Sequence, residues 1–278
     1  MTSLRRMGSL GGLLALTLSV SACGPTYRKA QIVDAIQRIA QTEYNFQVAV
    51  KLTENTIAVH LHHAGILQLV GPQVGLAPSA NEILSNLIEI VHRVVLSSDA
   101  PVNFYVVVVS DPAVPGAYLT IIRYLEDIRR ANANIITPTE LFSRTILDLK
   151  YLEGPGVGLA QLAPENITFE QFLSWQLAKR IEARLAQELQ RQPATTVDVG
   201  PCVGGFQGGE FAFALNVTPK PGREVNEGVI QKIFEDATGV IAQVLSGYHF
   251  KDFEAIRLIH PPTGRSLLLP KSRLELFR

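Results

Sequence analysis

Cysteine is almost absent from this chain, which has only Cys23 and Cys202 among its 278 residues. Two cysteines cannot build the disulfide framework on which small secreted domains rely, so a disulfide-rich fold is excluded. Cys202 lies in the glycine-rich stretch 200–209. Its thiol is either reactive, or available to a partner, or simply a small apolar group packed in or beside a strand, and the sequence favours the last interpretation.

The chain also lacks an excess of charge, since 25 basic residues balance 25 acidic ones. Without a basic surplus, no nucleic-acid partner is expected. Charged residues make up 18% of the chain and apolar residues 47%, which is typical of an ordered globular protein. A chain of this length can form one large domain or two small ones.

Familiar catalytic motifs are missing as well. The sequence contains no nucleophile elbow, zinc-protease helix motif, Ser-x-x-Lys or Cys-x-x-Cys. The glycine-rich run 204–209 lacks the Lys–Ser/Thr of a phosphate-binding loop and precedes a strand, so a hairpin loop is the favoured interpretation. We therefore predict no catalytic residue, no metal site and no cofactor, and we regard an enzyme as the less favoured class.

The N-terminus has the pattern of a bacterial export signal. Arg5 and Arg6 precede an uncharged apolar stretch at 10–20. That stretch is too short for a transmembrane helix, which needs about 20 apolar residues. It ends in Val20–Ser21–Ala22–Cys23, which resembles the lipobox of bacterial lipoproteins: aliphatic, small, small, cysteine. The alternative is an ordinary secretory signal with a cysteine near its end.

The resemblance implies a lipid anchor at Cys23. In that family the signal peptide, here 1–22, is removed, the cysteine thiol receives a diacylglycerol, and the new amino group can receive an acyl chain such as palmitate. Each buried methylene contributes about 0.8 kcal/mol, so two or more chains give stable membrane attachment. Because Gly24 follows the cysteine, and not Asp, the family pattern implies the outer membrane of a Gram-negative cell, with the body facing the periplasm. No family is recognised for the globular body.

Hydrophobic periodicity predicts an α+β fold with an internal duplication. Each half has the order helix–strand–strand–helix–strand–strand. The first half has predicted helices at 28–44 and 80–97 and strands at 46–53, 57–62, 103–110 and 117–124. The second has helices at 169–191 and 226–245 and strands near 195–203, 210–218, 253–260 and 265–269. We predict two tandem layers, each a mostly antiparallel four-stranded sheet with helices packed on one face.

A connecting helix and a linker are predicted between the halves. The helix, at 138–150, closes a first unit that spans 23–150. A segment containing glycine and proline, 151–168, is the predicted linker, and the second unit spans 169–278. Whether the two units form one domain or two stays open.

Two histidines raise the alternative of a metal site. His60 and His62 lie on the same side of a predicted strand and could both reach one ion. A third ligand is not evident, and the polar face of this hairpin also carries Gln47 and Lys51, so a solvated sheet face is the favoured interpretation. A metal-assisted hydrolase built on these histidines is kept as an alternative function.

One predicted strand is apolar on both faces. It consists of Phe104, Tyr105, Val106, Val107, Val108 and Val109. A strand with helices on one side and water on the other should alternate, so the second face of this strand must be covered. Cover by the rest of the chain is the favoured alternative. Cover by another molecule would make these six residues a contact surface.

Together these observations favour a lipid-anchored, non-enzymatic module of the cell envelope. It would touch the membrane through its N-terminal lipid and bind another envelope protein, as a scaffold or assembly factor. A small-ligand carrier is a further alternative, in which the loop at 64–78 acts as a lid over an apolar cavity.

Overall fold

The computed structural model describes residues 26–152, 159–190, 197–222 and 226–274. The predicted signal peptide and Cys23 lie outside these ranges. The described chain is a mixed α+β protein. Its α-helices are α1 (Ile32–Tyr44), α2 (Ala80–Val95), α3 (Leu125–Asn132), α4 (Pro138–Arg144), α5 (Leu159–Leu162), α6 (Phe169–Gln190), α7 (Glu227–Tyr248) and α8 (Lys271–Leu274). Its strands are β1 (Val48–Thr53), β2 (Thr56–His62), β3 (Leu67–Val70), β4 (Gln73–Leu76), β5 (Phe104–Ser110), β6 (Ala117–Tyr124), β7 (Ile146–Tyr151), β8 (Val197–Gln207), β9 (Glu210–Pro219), β10 (Ala255–His260) and β11 (Arg265–Pro270).

The first half is built on a five-stranded sheet in the order β1-β2-β5-β6-β7. The hairpins β1/β2 and β5/β6 are antiparallel. The central pair β2/β5 is parallel, because α2 returns the chain to the end of the sheet where β2 began. The amphipathic helices α1 and α2 cover one face and bury their apolar stripes in a core with the same face of β2 and β5.

The second half repeats this pairing in a four-stranded sheet with the order β11-β10-β9-β8. Its two hairpins are antiparallel and its central pair, β9/β10, is parallel. Helices α6 and α7 cover one face. A capping box starts α6: Thr168 Oγ1 accepts from the Gln171 N–H at 3.2 Å, and the Gln171 side chain accepts from the Thr168 N–H at 3.1 Å.

The predicted helix at 138–150 is wrong in its second part. Helix α4 starts as predicted, because Thr137 Oγ1 caps the Glu140 N–H at 3.1 Å and Pro138 fits the first helical position. It ends at Arg144, and β7 then pairs antiparallel with β6. The first sheet therefore has five strands and not the predicted four.

The predicted loop at 64–78 contains a small β-hairpin, β3/β4. The buried carboxylate of Asp111 accepts from the backbone N–H groups of Ile66 at 2.8 Å and Leu67 at 3.0 Å. Both of these side chains belong to the core of the first half. The base of the hairpin is thus fixed on packed apolar side chains, an arrangement that does not support a mobile lid over a cavity.

The second face of the first sheet packs against the second half. Phe104 lies 5.4 Å, ring to ring, from Phe172 of α6. The described part of the predicted linker also joins this core, in which Leu162, Ala163 and Ile167 are buried. This part of the segment 151–168 is therefore packed structure and not a free tether.

A buried polar network also joins the halves. Arg144 pairs with Asp127 at 2.7 Å, and both side chains are at most 5% exposed. Tyr248, at the end of α7, donates from its hydroxyl to Asp127 at 2.7 Å. Gln176 of α6 donates to the Tyr248 hydroxyl at 2.9 Å and to the Arg144 carbonyl at 2.5 Å. Such a network stabilises one arrangement of the two halves, because removal of Arg144 or Asp127 leaves a buried charge unpaired and removal of Tyr248 or Gln176 takes away hydrogen bonds to the pair.

None of the helices in the described ranges combines the length and the apolar character needed to cross a bilayer.

Candidate binding cleft

A cleft of about 610 Å³ opens where the two halves meet. This volume lies within the usual range for ligand sites, roughly 300–1,000 Å³. One wall is the second face of β6 and β7, and the opposite wall is α6 together with residues 201–204 of β8. Residues 161–165 close one side. The apolar part of the lining includes Ile146 and the half-buried indole of Trp175.

The charged groups of the cleft wall come from β7 and α6, and Glu165, which pairs with Lys51, lies at its side. Asp148 of β7 lies 2.9 Å from the Lys179 ammonium of α6 and 3.5 Å from that of Lys150. Burial would raise the pKa of Asp148, but its hydrogen bond to Lys179 and the two positive charges lower that pKa below its ordinary value. The pair is therefore ionised at neutral pH, and two ammonium groups face one carboxylate at this point of the wall.

One polar atom in the cleft has no partner. Thr120 is 2% exposed, and its hydroxyl oxygen is one of two buried side-chain polar atoms in the described ranges that form no hydrogen bond. A buried hydroxyl without a partner costs about 1–3 kcal/mol. Thr120 lines the cleft, but its hydroxyl oxygen has almost no accessible surface, so a bound molecule reaches it only if the neighbouring side chains shift.

Two edge strands border the cleft. In the described sheets β7 pairs only with β6, and β8 pairs only with β9. At the cleft the edge of β8 is blocked: Pro201 has no N–H, its carbonyl accepts from the Asn216 side chain at 2.7 Å, and the Cys202 N–H donates to the Glu182 carboxylate at 3.1 Å. The edge of β7 can accept a further extended chain.

The close approach of β8 to α6 depends on Gly204. A Cβ atom at this position would lie 2.4 Å from the backbone oxygen of Ser174 in α6, far inside the ordinary contact distance. Gly204 lines the cleft and belongs to β8, so this part of the predicted hairpin loop 204–209 is strand. Gly208 and Gly209, both with positive φ, form the turn itself.

The strand that is apolar on both faces lies in the centre of the first sheet. Phe104, Tyr105, Val106, Val107, Val108 and Val109 are each at most 1% exposed. Tyr105, Val107 and Val109 face the core under α1 and α2, and the other three face the second half. Of the two alternatives, cover within the chain is the one that the structure shows, so these side chains are not accessible to a partner in this fold.

The two paired histidines converge on a serine and not on a metal-ligand cluster. His60 Nε2 lies 3.0 Å and His62 Nδ1 2.9 Å from the hydroxyl oxygen of Ser110. Burial and the neighbouring His62 lower the pKa of His60. Among the described residues, no three His, Cys, Asp or Glu side chains come together as a metal site requires. The face of β2 that carries these histidines is covered near Thr56 and Ala58 and opens only towards His62, so it is not a fully solvated face.

Cys202 is buried in the core of the second half. Burial, with a contribution from Glu182, raises the pKa of its thiol to about 12. The thiol is therefore protonated at neutral pH, as expected for a packed apolar residue and not for a nucleophile.

No protein-family model, curated protein or solved structure matches this chain.

No local sequence motif predicts this cleft. Asp148 and Lys179 are 31 positions apart, and Thr120 is one of several polar residues in its strand. The strand that is apolar on both faces predicts a second packing layer, because both of its faces must be covered. A cleft can form at the margin of such a layer, but the strand does not predict where.

Proposed function

We propose that this protein is a lipid-anchored, non-enzymatic module of the cell envelope that binds an extended segment of a partner protein in the cleft between its halves. The observation that carries the proposal is the cleft itself. It joins the open edge of β7, an apolar wall and the unpartnered hydroxyl of Thr120 in one place.

An extended polypeptide fits this chemistry better than a compact solute. Its backbone N–H and C=O groups match an open strand edge, and alternate side chains can reach the cleft wall. Trp175 supplies an aromatic surface of the type that anchors binding segments. Lys150 and Lys179 lie beside Asp148, and either ammonium group can also pair with an acidic side chain of the segment.

The lipobox pattern supports the anchored part of the proposal. With residues 1–22 removed and Cys23 acylated, the module is held at a membrane, which in a Gram-negative cell is the outer membrane. There it meets its partner in the periplasm. Attachment to a surface raises the effective concentration of the module for partners on the same surface, so a cleft of modest affinity is sufficient.

The matching order of pairing supports the inferred duplication. In each half a central parallel pair lies between two antiparallel hairpins, with two helices on one face. We infer that β7 and β3/β4 are additions to this common unit in the first half. Since β7 forms one wall of the cleft, we infer that the addition of β7 to the common unit created the binding site.

The alternatives have less support. A metal-assisted hydrolase needs a third ligand beside His60 and His62, and the described residues supply none that forms such a cluster. A small-ligand carrier with a lid at 64–78 needs space below β3/β4, where Ile66 and Leu67 are packed in the core.

Site-specific photo-cross-linking in cells tests the proposal. A photoreactive amino acid replaces Val203, which is 61% exposed at the rim of the cleft, or Leu268, which is 50% exposed on β11 at the opposite edge of the same sheet. We expect an envelope protein to be cross-linked at Val203 and not at Leu268. A parallel chain with Cys23→Ser separates anchored from soluble contacts.

The cross-linked segment, identified by mass spectrometry, is then synthesised as a peptide, and its binding is measured by calorimetry. We expect Lys179→Ala, which removes a cleft ammonium group, to weaken binding, and Lys232→Ala, on the exposed side of α7, to leave it unchanged. Equal cross-linking at both positions, or a peptide that binds both variants equally, would exclude the cleft as the binding site.

A further inference from the structure

Tyr27, near the start of the described chain, is fixed to the residues that follow α2. Its N–H donates to the Ser97 carbonyl at 3.1 Å, and its carbonyl accepts from the Asp99 N–H at 3.2 Å. The Lys29 N–H adds a bond of 2.6 Å to the Asp99 side chain. Tyr27 also packs on the core of the first half. The chain that leads back to Cys23 therefore leaves the fold at one defined point.

The distance from this point to the proposed lipid is short. Cys23 is four residues before Tyr27, and four residues span at most about 14 Å even when fully extended. The polar headgroup layer on one side of a bilayer is itself roughly 5–8 Å thick. A lipid on Cys23 thus leaves no long tether, and the end of the fold near Tyr27 must rest on the membrane.

The register of the first sheet shows what else lies at this end. Phe104, the first residue of β5, pairs with Thr56 at the start of β2 and with Tyr124 at the end of β6. The chain then enters α3, and the Leu125 N–H donates to the Asn103 carbonyl at 2.8 Å. The segment 125–144, which comprises α3 and α4, is therefore at the Tyr27 end of the sheet.

This segment has two exposed apolar side chains. Ile135 is 64% exposed and Phe142 62% exposed. Charges of both signs accompany them at this end: Arg129 in the last turn of α3 pairs with Glu126 at 3.3 Å, and Arg28 and Lys29 are exposed beside Tyr27. Exposed apolar side chains at an end of the fold that a lipid holds at the membrane can insert in the interface of the bilayer.

Leu147, Leu149 and Tyr151 of β7 form a second exposed apolar group in the first half, and a third lies at the opposite end. The β3/β4 hairpin exposes Leu69, Val70 and Leu76. It precedes α2, whose 16 residues extend for about 24 Å before the chain reaches Ser97. With the Tyr27 end on the membrane and α2 directed away from it, this hairpin lies about 24 Å from the lipid surface.

We infer that the end of the fold formed by Tyr27 and the segment 125–144 lies flat on the lipid surface, with Ile135 and Phe142 inserted among the headgroups. This inference rests on the proposed anchor at Cys23. It fixes the orientation of the whole module, because the halves are joined by a common core, and it directs the β3/β4 hairpin away from the membrane.

Fluorescence quenching by nitroxide-labelled lipid tests the inference. The full-length lipoprotein is purified from bacterial membranes and reconstituted in vesicles of phosphatidylethanolamine and phosphatidylglycerol. A thiol-reactive fluorophore is attached in three variants, Ile135→Cys, Phe142→Cys and Leu69→Cys. Leu69 is a matched control because its exposure, 64%, equals that of Ile135. The wild-type chain reports background labelling.

We expect lipid-borne nitroxide to cause a loss of fluorescence at positions 135 and 142 and none at position 69, where a water-soluble quencher acts instead. Protein that floats with the vesicles but shows equal quenching at all three positions, or most at 69, would overturn the inferred orientation alone. Protein that does not float, and whose N-terminal peptide has no lipid mass, would overturn the anchor and the orientation together.

Discussion

Replacement of Gly204 by alanine places a Cβ atom 2.4 Å from the Ser174 backbone oxygen and 2.8 Å from the ring of Phe213. Both neighbours are buried, and the oxygen belongs to the backbone of α6, so neither can rotate away. Relief of the clash requires β8 and α6 to separate by roughly 1 Å, which is comparable to the overpacking that costs about 1–3 kcal/mol in protein cores. The next residue supplies the control, because a Cβ atom on Gly205 meets nothing within 4 Å.

We therefore expect Gly204→Ala to lower the free energy of unfolding by about 2–3 kcal/mol, and Gly205→Ala to leave it within about 0.5 kcal/mol of the wild type. For a chain of this size, the first change corresponds to a fall in melting temperature of roughly 4–12 °C. Urea denaturation followed by circular dichroism measures the free energy of unfolding of both variants.

The same pair of variants tests the cleft. Since Gly204 lines it, separation of β8 from α6 alters the wall against which a partner segment binds. Gly204→Ala should weaken peptide binding, and Gly205→Ala should not. If the two variants unfold at the same urea concentration, the close packing of β8 on α6 described here is incorrect.

Three further predictions concern buried polar groups. Tyr248→Phe removes the hydroxyl that donates to the buried carboxylate of Asp127, so it should lower the free energy of unfolding by about 2–3 kcal/mol. The control is Tyr151→Phe, at a residue that is 60% exposed, which should leave the free energy of unfolding almost unchanged. Equal effects of the two changes would show that the Tyr248–Asp127 hydrogen bond does not contribute to stability. Burial lowers the pKa of His92 from 6.5 to about 4, so protonation of this imidazole favours the unfolded state. The stability present above pH 6.5 should be lost as the pH falls towards 4, by at most roughly 3 kcal/mol. In denaturation curves His92→Gln should reduce this dependence of the free energy of unfolding on pH, and an unchanged dependence would show that His92 is not its source. Burial raises the pKa of the Cys202 thiol to about 12, so this thiol should resist maleimide at pH 8 in the folded protein and react fully in urea. Mass spectrometry measures the extent of labelling. Rapid labelling of the folded chain would show that the thiol is exposed.

The order of helices and strands was predictable because most elements have a clear period. The alternating strand at 210–218 and the apolar stripe of α2 are examples in which burial on one face dictates the sequence. The strand β7 was missed for a physical reason. It is an edge strand, with Leu147, Leu149 and Tyr151 exposed on one face, so its residues do not follow the apolar-in, polar-out rule.

The site was less predictable than the fold, because it depends on contacts between distant parts of the chain. The apolar strand 104–109 required a cover, but its sequence did not identify α6 and the segment 159–167 as that cover. The Tyr248 network likewise joins residues from four helices, and each of these residues alone looks like an ordinary surface polar group. Contacts between residues that are distant along the chain leave no local pattern in a single sequence.

Mass spectrometry of the mature N-terminus tests the central claim most directly. The full-length chain is expressed in a bacterium, extracted from the membrane fraction and digested. The account predicts an N-terminal peptide that begins at Cys23 and has the added mass of a diacylglyceryl group, with or without a further acyl chain, and Cys23→Ser should abolish both the modification and membrane attachment. A mature chain that begins at another residue, or an unmodified Cys23, would contradict the account.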